Sequence, residues 1–321
     1  MNKDQNQTNR KWAGLALAGI LALAGLGFAV RAVDTGKLVL ATEAAPQMTF
    51  PSPTEAATAL AQATKNTDES ALTKVLGSEA KALITSGDSG SDKAAMQQFF
   101  SKYQQMNRWV DMTDGSRVLY IGADNFAFPV PLAKNPSGSW YFDAVAGALE
   151  IRAREIGKNE LLTIDAVAAL ANAEQFYFNN SASGEYAQRI VSTPGEQDGL
   201  YWPVSDSLKA SPLAQLDEFP KSSLTSLSPD QAFIIDGYTL RILTAQGNDA
   251  TGGAQSYIVN GKMTGGFAIL AAPAKYGETG IMSFMIGRQG FVYERDMGPD
   301  TAKTAAAIQE YNPDDNWSPI D

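Results

Sequence analysis

Hydrophobic positions in the first half of the chain recur with the spacing of amphipathic helices. A Ser-Pro-Thr-Glu box at residues 52–55 predicts a helix start, because its serine and glutamate can each bond a free backbone N–H. Asp68 is expected to cap a second, short helix that ends at Gly77. A third helix, capped by Ser91 or Asp92, carries the longest apolar stripe of this half. The stripe, which is typical of a core-facing helix side, consists of Met96, Phe99, Phe100, Tyr103 and Met106.

From Trp109 onward the pattern changes to the alternation that is typical of strands. Residues 117–121 and 140–142 are predicted strands, and residues 126–132 are predicted to be an edge strand broken by prolines. Helices followed by a short antiparallel sheet indicate an α+β domain, which we place at residues 51–147.

The second half begins with a helical pattern. Residues 148–156 and 160–178 are each predicted to be helical, with Gly157 interrupting the helix and Asn159 capping its second part. A long loop-rich region follows at residues 179–230.

The last third of the chain has the alternation of an antiparallel β-meander, followed by a closing helix from Pro299. Together with the preceding helix it predicts a second α+β domain at residues 148–321. The predicted strands are residues 238–242, 267–270, 281–286 and 291–295.

The N-terminus has the pattern of an export signal. Three basic residues and one acidic residue precede an apolar, charge-free run at residues 12–30, which is long enough to cross a bilayer. Small-residue cleavage patterns end at Ala32 and Ala44; without cleavage, the run would anchor the chain in the inner membrane. We therefore expect residues 1–33 to be a signal peptide or anchor, residues 34–50 to be a linker, and the remainder to be periplasmic.

The amino-acid composition excludes several kinds of catalytic and metal-binding site. The 321-residue chain contains no cysteine and no histidine, which excludes disulfides, thiol nucleophiles, imidazole bases and zinc sites of the usual kinds. The densest acidic group, formed by Asp296, Asp300, Asp314 and Asp315, lacks the regular ligand spacing of a calcium loop. We predict no catalytic residue, no metal site and no cofactor.

Charge bears on the partners of the protein. The net charge of −10 argues against nucleic acid and against anionic lipid, so that only an uncleaved N-terminal segment is expected to contact the membrane. An envelope protein or polymer remains as the expected partner.

The loop at residues 198–203 gathers an acid and two large aromatic side chains beside Arg189. Tyrosine and tryptophan in a loop can form a shelf for a sugar or a peptide; alternatively, they pin the loop onto the core. The ligand-binding candidates are Arg189, Asp198, Tyr201 and Trp202.

Long runs from Phe50 to the end of the chain resemble the bacterial domain-of-unknown-function family 2950, which comprises uncharacterised envelope proteins of Gram-negative bacteria. The resemblance implies an exported protein and brings with it no established activity. The runs that carry it include Phe128-Pro129-Val130-Pro131-Leu132, Trp140-Tyr141-Phe142-Asp143, Glu185-Tyr186-Ala187-Gln188-Arg189, Asp198-Gly199-Leu200-Tyr201-Trp202-Pro203 and Gly298-Pro299-Asp300-Thr301.

A second resemblance concerns the C-terminal half alone. A helix at residues 160–178, a long loop and a meander containing Gly237-Tyr238-Thr239 and Gln289-Gly290-Phe291-Val292 resemble the globular heads of type IV pilins and pseudopilins. This implies a pilin-head-like arrangement for the second domain.

These patterns favour an exported, non-enzymatic binding or assembly module. One alternative is a hydrolase of an envelope polymer that works through two carboxylates, such as Glu185 and Asp198. The other is a pilin-like, secretion-associated subunit.

Overall fold

The computed structural model of the protein describes residues 47–203, 210–215 and 233–320. The predicted export segment, most of the predicted linker and part of the predicted loop at residues 179–230 lie outside the described residues. Residues Ala45–Asp321 form one compact unit. Among the described helices, none combines the length and the apolar character that crossing a bilayer requires.

Four helices open the described chain, and the first two begin at the predicted caps. The Ser52 hydroxyl accepts a hydrogen bond from the backbone N–H of Glu55, and the Asp68 carboxylate accepts one from Ala71. These contacts lie within one turn of helix, which is why the sequence predicts them. The helices are α1 (Pro53–Lys65), α2 (Glu69–Leu76), α3 (Lys81–Ile84) and α4 (Ser89–Gln105).

Helix α4 begins earlier than predicted and is less buried than its apolar stripe suggests. Asp88, rather than Ser91 or Asp92, caps it by accepting hydrogen bonds from two backbone N–H groups. The structure describes every residue of α4, and Met96 is the only one that is buried. Phe99 is half-buried. Of the stripe, Met96 and Phe99 line a cavity beside the helix, and Phe99 and Tyr103 are partly buried against a hydrophobic cluster.

The first sheet is antiparallel, with strand order β1-β2-β4-β5 and with β3 paired to β2. The predicted strand at residues 126–132 is divided into two short strands, because Pro129 and Pro131 cannot donate backbone hydrogen bonds to a neighbouring strand. The strands are β1 (Asn107–Asp111), β2 (Arg117–Ile121), β3 (Phe126–Ala127), β4 (Leu132–Lys134) and β5 (Trp140–Phe142).

A single helix, α5 (Ala144–Asn180), replaces the two predicted helices. The predicted interruption at Gly157 is wrong, since the helix continues through this glycine despite its unfavourable helix propensity. Asn159 does not act as a cap; its side-chain amide donates a hydrogen bond to the Thr279 backbone carbonyl at 3.0 Å. Glu160 Oε1 accepts the backbone N–H groups of Ile281 and Met282. These tertiary contacts, two and three residues after the glycine, tie this part of the helix to the chain at residues 279–282.

The two ends of α5 pack against different hydrophobic clusters. Its N-terminal end closes the first cluster, where Gly147 lies against Val130 and Arg154 donates to the Ala127 carbonyl. Its C-terminal part supplies Val167 and Leu170 to the second cluster. The boundary predicted between residues 147 and 148 falls inside this helix.

The second large sheet is antiparallel and has the strand order β15-β14-β13-β12-β7-β6. Its central strand β12 is buried along its whole length, because α5 and the short helix α6 (Thr301–Ala307) both pack against it. The predicted meander and the α+β class are confirmed. The six strands are β6 (Phe233–Ile235), β7 (Tyr238–Leu243), β12 (Ala268–Pro273), β13 (Met282–Gly287), β14 (Val292–Asp296) and β15 (Ser318–Pro319).

Two small ribbons lie between β7 and β12 in the chain. They are formed by β8 (Ala245–Gln246) with β9 (Gln255–Ser256), and by β10 (Ile258–Val259) with β11 (Lys262–Met263).

Candidate functional site

The loop that carries the four predicted ligand-binding residues is held by its own backbone. Tyr201 donates its backbone N–H to the Ile190 carbonyl, and Ser192 donates to the Tyr201 carbonyl, both at 2.8 Å. The two segments approach so closely at Gly199 that a Cβ there would lie 2.7 Å from the Ser192 backbone nitrogen. Only glycine fits this position without a backbone shift, so the turn that follows Ser192 is fixed.

Arg189 and Asp198 are brought together in this turn. Arg189 Nε lies 3.4 Å from Asp198 Oδ2, and Thr193 donates both its backbone N–H and its hydroxyl to the same carboxylate at 2.8 Å. Partial burial raises the pKa of Asp198, but the Thr193 hydrogen bonds and the Arg189 charge outweigh burial and hold it below its ordinary value. The carboxylate is therefore ionised and engaged within the protein.

Tyr201 and Trp202 do not form an exposed shelf. Tyr201 belongs to the second hydrophobic cluster, and Trp202 is only 8% exposed. The structure thus places the first aromatic ring in the core and the second in the wall of a cavity. The assignment of Arg189, Asp198, Tyr201 and Trp202 as ligand-binding residues stays a prediction.

The carboxylates considered for hydrolysis each have a partner. Glu185 lies 3.4 Å from Lys262 Nζ and accepts a short hydrogen bond from the Ser183 hydroxyl. The Ser183 bond and Lys262 together lower the pKa of Glu185 despite partial burial. A carboxyl that donates a proton to a leaving group needs a raised pKa, and neither Glu185 nor Asp198 has one.

Metal ligands were not expected from the sequence. Within residues 47–203, 210–215 and 233–320, no group of three or more acidic side chains is placed to hold a metal ion.

A buried carboxyl group at Glu174 was missed by the sequence analysis. Its side chain is 0% exposed; Oε2 accepts the Ala187 backbone N–H at 2.9 Å, and Oε1 has no hydrogen-bond partner among the described residues. Burial raises the pKa of Glu174 well above the ordinary value, and the Ala187 hydrogen bond opposes this only in part. Burial thus favours the protonated, neutral form of this carboxyl, and its hydrogen bond links α5 to the loop that follows it.

A large concave surface in the first half of the described chain is an apolar groove. We define the apolar groove as the space of about 940 Å³ between α1, α2, α3, α4, β2, β3 and the first turns of α5. Its walls include Leu83, Phe99, Phe126 and Ile151, and Phe126 is 40% exposed. No local pattern marks this groove in the sequence, because its walls come from helices and strands spread over residues 60–155.

Acidic side chains predominate among the charges at the rim of the apolar groove. Glu79, Asp92 and Glu155 face two basic residues, Lys102 and Arg152. The Lys102 ammonium group pairs with Asp124 outside the groove, which leaves Arg152 as the available cation among the described rim residues. The rim is therefore net negative.

A second concave surface lies at the other end of α5. We define the aromatic cavity as the space of about 430 Å³ that Phe176 and Tyr177 of α5 enclose together with Gln197, Trp202 and Pro212. Tyr177 donates its hydroxyl hydrogen to the Gln197 carbonyl at 2.8 Å, so the helix and the loop are tied together across this cavity.

Comparison with known families gave one result that covers most of the chain. A family profile described as "Protein of unknown function (DUF2950)" matches residues 47–320. The comparisons with curated proteins and with solved structures gave no significant match.

Proposed function

Since the chain belongs to the DUF2950 family, whose description gives no activity, we propose a function from its geometry: an exported, non-enzymatic binding module that acts in the periplasm. Its ligand is an amphipathic helical segment of an envelope protein, which lies in the apolar groove. The observation that carries the proposal is the groove itself, an open space of about 940 Å³ with largely apolar walls.

Unfilled apolar surface supports a binding role. Phe99 of α4 is only half-buried, and Phe126, which also lines the groove, is 40% exposed. Contiguous apolar surface of this kind marks a place where another molecule binds, since burying it gains about 25 cal/mol per Å². A groove flanked by helices is the usual receptor for the apolar face of an amphipathic helix.

Charge supports the choice of partner. Glu79, Asp92 and Glu155 outnumber the available cation Arg152 at the rim, and the whole chain carries a net charge of −10. Basic residues that flank the apolar face of a helix would complement this rim, whereas a fatty-acid carboxylate or an anionic headgroup would meet net repulsion.

The proposal is tested with a model ligand, a fluorescent peptide of two Leu-Lys-Lys-Leu-Leu-Lys-Leu repeats. Ile151 lines the apolar groove, and Ile151→Asp places a charge in it. We expect this change to weaken peptide binding, measured by fluorescence anisotropy, by at least about tenfold, because the new carboxylate must be desolvated.

The matched control is Val145→Asp, which adds the same charge on the same helix at a position that is 61% exposed and does not line the groove. Its binding should remain within about twofold of that of the original protein. Unchanged or tighter binding by both variants would show charge-driven adsorption to the acidic surface and contradict the proposal. A second contradiction would be equal binding of a peptide with glutamate at every lysine position, or displacement of the peptide by oleate.

A further inference from the structure

The aromatic cavity lies apart from the apolar groove and has a different chemistry. From its lining we propose that it is a second binding site, which takes a neutral saccharide of one or two sugar units. The proposal rests on the described residues of the cavity and is independent of the function proposed for the groove.

Aromatic surface is the first argument. Phe176 is 42% exposed at the mouth, Tyr177 is half-buried beside it, and Trp202 forms part of the wall. A pyranose ring presents flat patches of C–H groups, which pack on aromatic faces, while its hydroxyl groups point outward. Aromatic rings of this kind supply contact area at one face and leave the polar rim of the ligand free to bond elsewhere.

Hydrogen-bonding groups are the second argument. The Asn180 amide donates to the Phe176 carbonyl, and its Oδ1 accepts no hydrogen bond from the described residues. The Tyr177 oxygen keeps lone pairs after donating to the Gln197 carbonyl. The Gln197 side-chain amide makes no hydrogen bond with the described residues, so it offers both donors and an acceptor. A sugar hydroxyl, which both donates and accepts, matches this mixed set.

The absence of charge is the third argument. The lining residues that the structure describes carry no charged side chain, and the nearby Arg189 and Asp198 neutralise each other. A charged ligand would lose hydration here without gaining a counter-charge. The volume of about 430 Å³ lies in the range of small-ligand pockets, whereas a proline-rich peptide needs an extended groove.

The cavity walls are already joined before any ligand binds. Besides the Tyr177 bond to Gln197, Glu174 of α5 accepts the Ala187 N–H from the same loop. Because these hydrogen bonds already hold the helix and the loop together, less conformational entropy is lost when a ligand binds between them.

The test measures binding of maltose and of N,N′-diacetylchitobiose to the purified protein by calorimetry and by saturation-transfer NMR. We expect millimolar or tighter binding of at least one of them. Phe176→Ala should weaken that binding at least about tenfold, because it removes the exposed aromatic face. The matched control, Phe291→Ala, removes a ring that is 64% exposed elsewhere and should change nothing.

Three results would overturn the saccharide site: no binding of either disaccharide, binding that Phe176→Ala leaves intact, or tighter binding of glucuronate or of a proline decamer. Ile151→Asp, which alters only the groove, should leave sugar binding unchanged. A failure here is thereby distinguished from a failure of the function proposed for the groove.

Discussion

At the scale of single residues, Glu174 is the side chain whose surroundings depart most from what its type suggests. It is fully buried; one oxygen accepts the Ala187 backbone N–H, and the other has no hydrogen-bond partner in the described part of the chain. Such a group is stable inside a protein only when it is protonated. Its protonation therefore couples the stability of the protein to pH.

We predict that Glu174→Gln removes a pH-dependent loss of stability. Below the ordinary pKa of 4.5, both the folded and the unfolded forms hold the proton, and Glu174 gives no pH dependence. Above it, only the unfolded form ionises, so the free energy of unfolding falls by about 1.4 kcal/mol per pH unit until the raised folded pKa is reached. Urea denaturation between pH 5 and pH 8 should therefore show the variant gaining stability relative to the original protein as pH rises.

Glu196→Gln, at an exposed position in the neighbouring loop, serves as the control and should follow the pH dependence of the original protein. Parallel curves for all three proteins would show that Glu174 ionises normally in the folded state.

At the scale of elements, α5 shows where local sequence rules give way to packing. The glycine that predicts a break, Gly157, has no atom within 4 Å of a Cβ built on it, while Gly147 on the same helix lies against Val130. A larger side chain would therefore fit at Gly157. At Gly147 it would collide with Val130, so this position requires glycine.

We predict opposite effects of the same substitution at these two glycines. Gly157→Ala should raise the free energy of unfolding by about 0.5–1 kcal/mol, because alanine has the better helix propensity and finds open space. Gly147→Ala should lower it by about 1–3 kcal/mol, because the new Cβ would lie 2.8 Å from Val130 Cγ2. Urea titration of both variants tests this, and a loss of stability at Gly157 would indicate that the helix needs a hinge there.

At the scale of the whole molecule, α5 contributes side chains to both hydrophobic clusters, one centred on the helices and sheet at residues 50–144 and the other on the large sheet. The two-domain division at residues 147 and 148 stays a prediction, as does the periplasmic location that the segment at residues 12–30 indicates.

Export is predicted to depend on residues 1–33. Alkaline phosphatase, which needs disulfides and is active only outside the reducing cytoplasm, should be active in intact cells when fused after residue 46. Deleting residues 1–33 should abolish that activity, and the mass of the protein recovered from the envelope would identify a cleaved end at Ala32 or Ala44. Equal activity with and without residues 1–33 would refute export by this segment.

The parts of the fold that the sequence predicts are those decided within a few residues. The caps at Ser52 and Asp68 and the strand at residues 117–121 depend on neighbouring side chains, and the structure confirms them. In α5 the acidic Glu174 lies inside the protein, while its neighbour Gln175 is exposed. Helical periodicity assigns apolar residues to buried positions, so this pattern does not identify an acidic residue that is buried.

Neither concave surface could be derived from the sequence. Trp202 was singled out, but its partners in the aromatic cavity, Tyr177 and Asn180, are near only because α5 continues to residue 180 and the loop folds back over its end. The apolar groove needs side chains from Leu60 to Glu155, whose proximity is a matter of tertiary packing.

The continuity of α5 gives the protein a fixed internal length. At about 1.5 Å of rise per residue, Ile151 in the groove and Phe176 at the cavity are held about 37 Å apart along the helix axis. A peptide bound at one end and a sugar bound at the other would not contact each other, and the distance between them would be constant. The protein would then serve as a rigid spacer, setting the distance between a polypeptide and a glycan in the cell envelope.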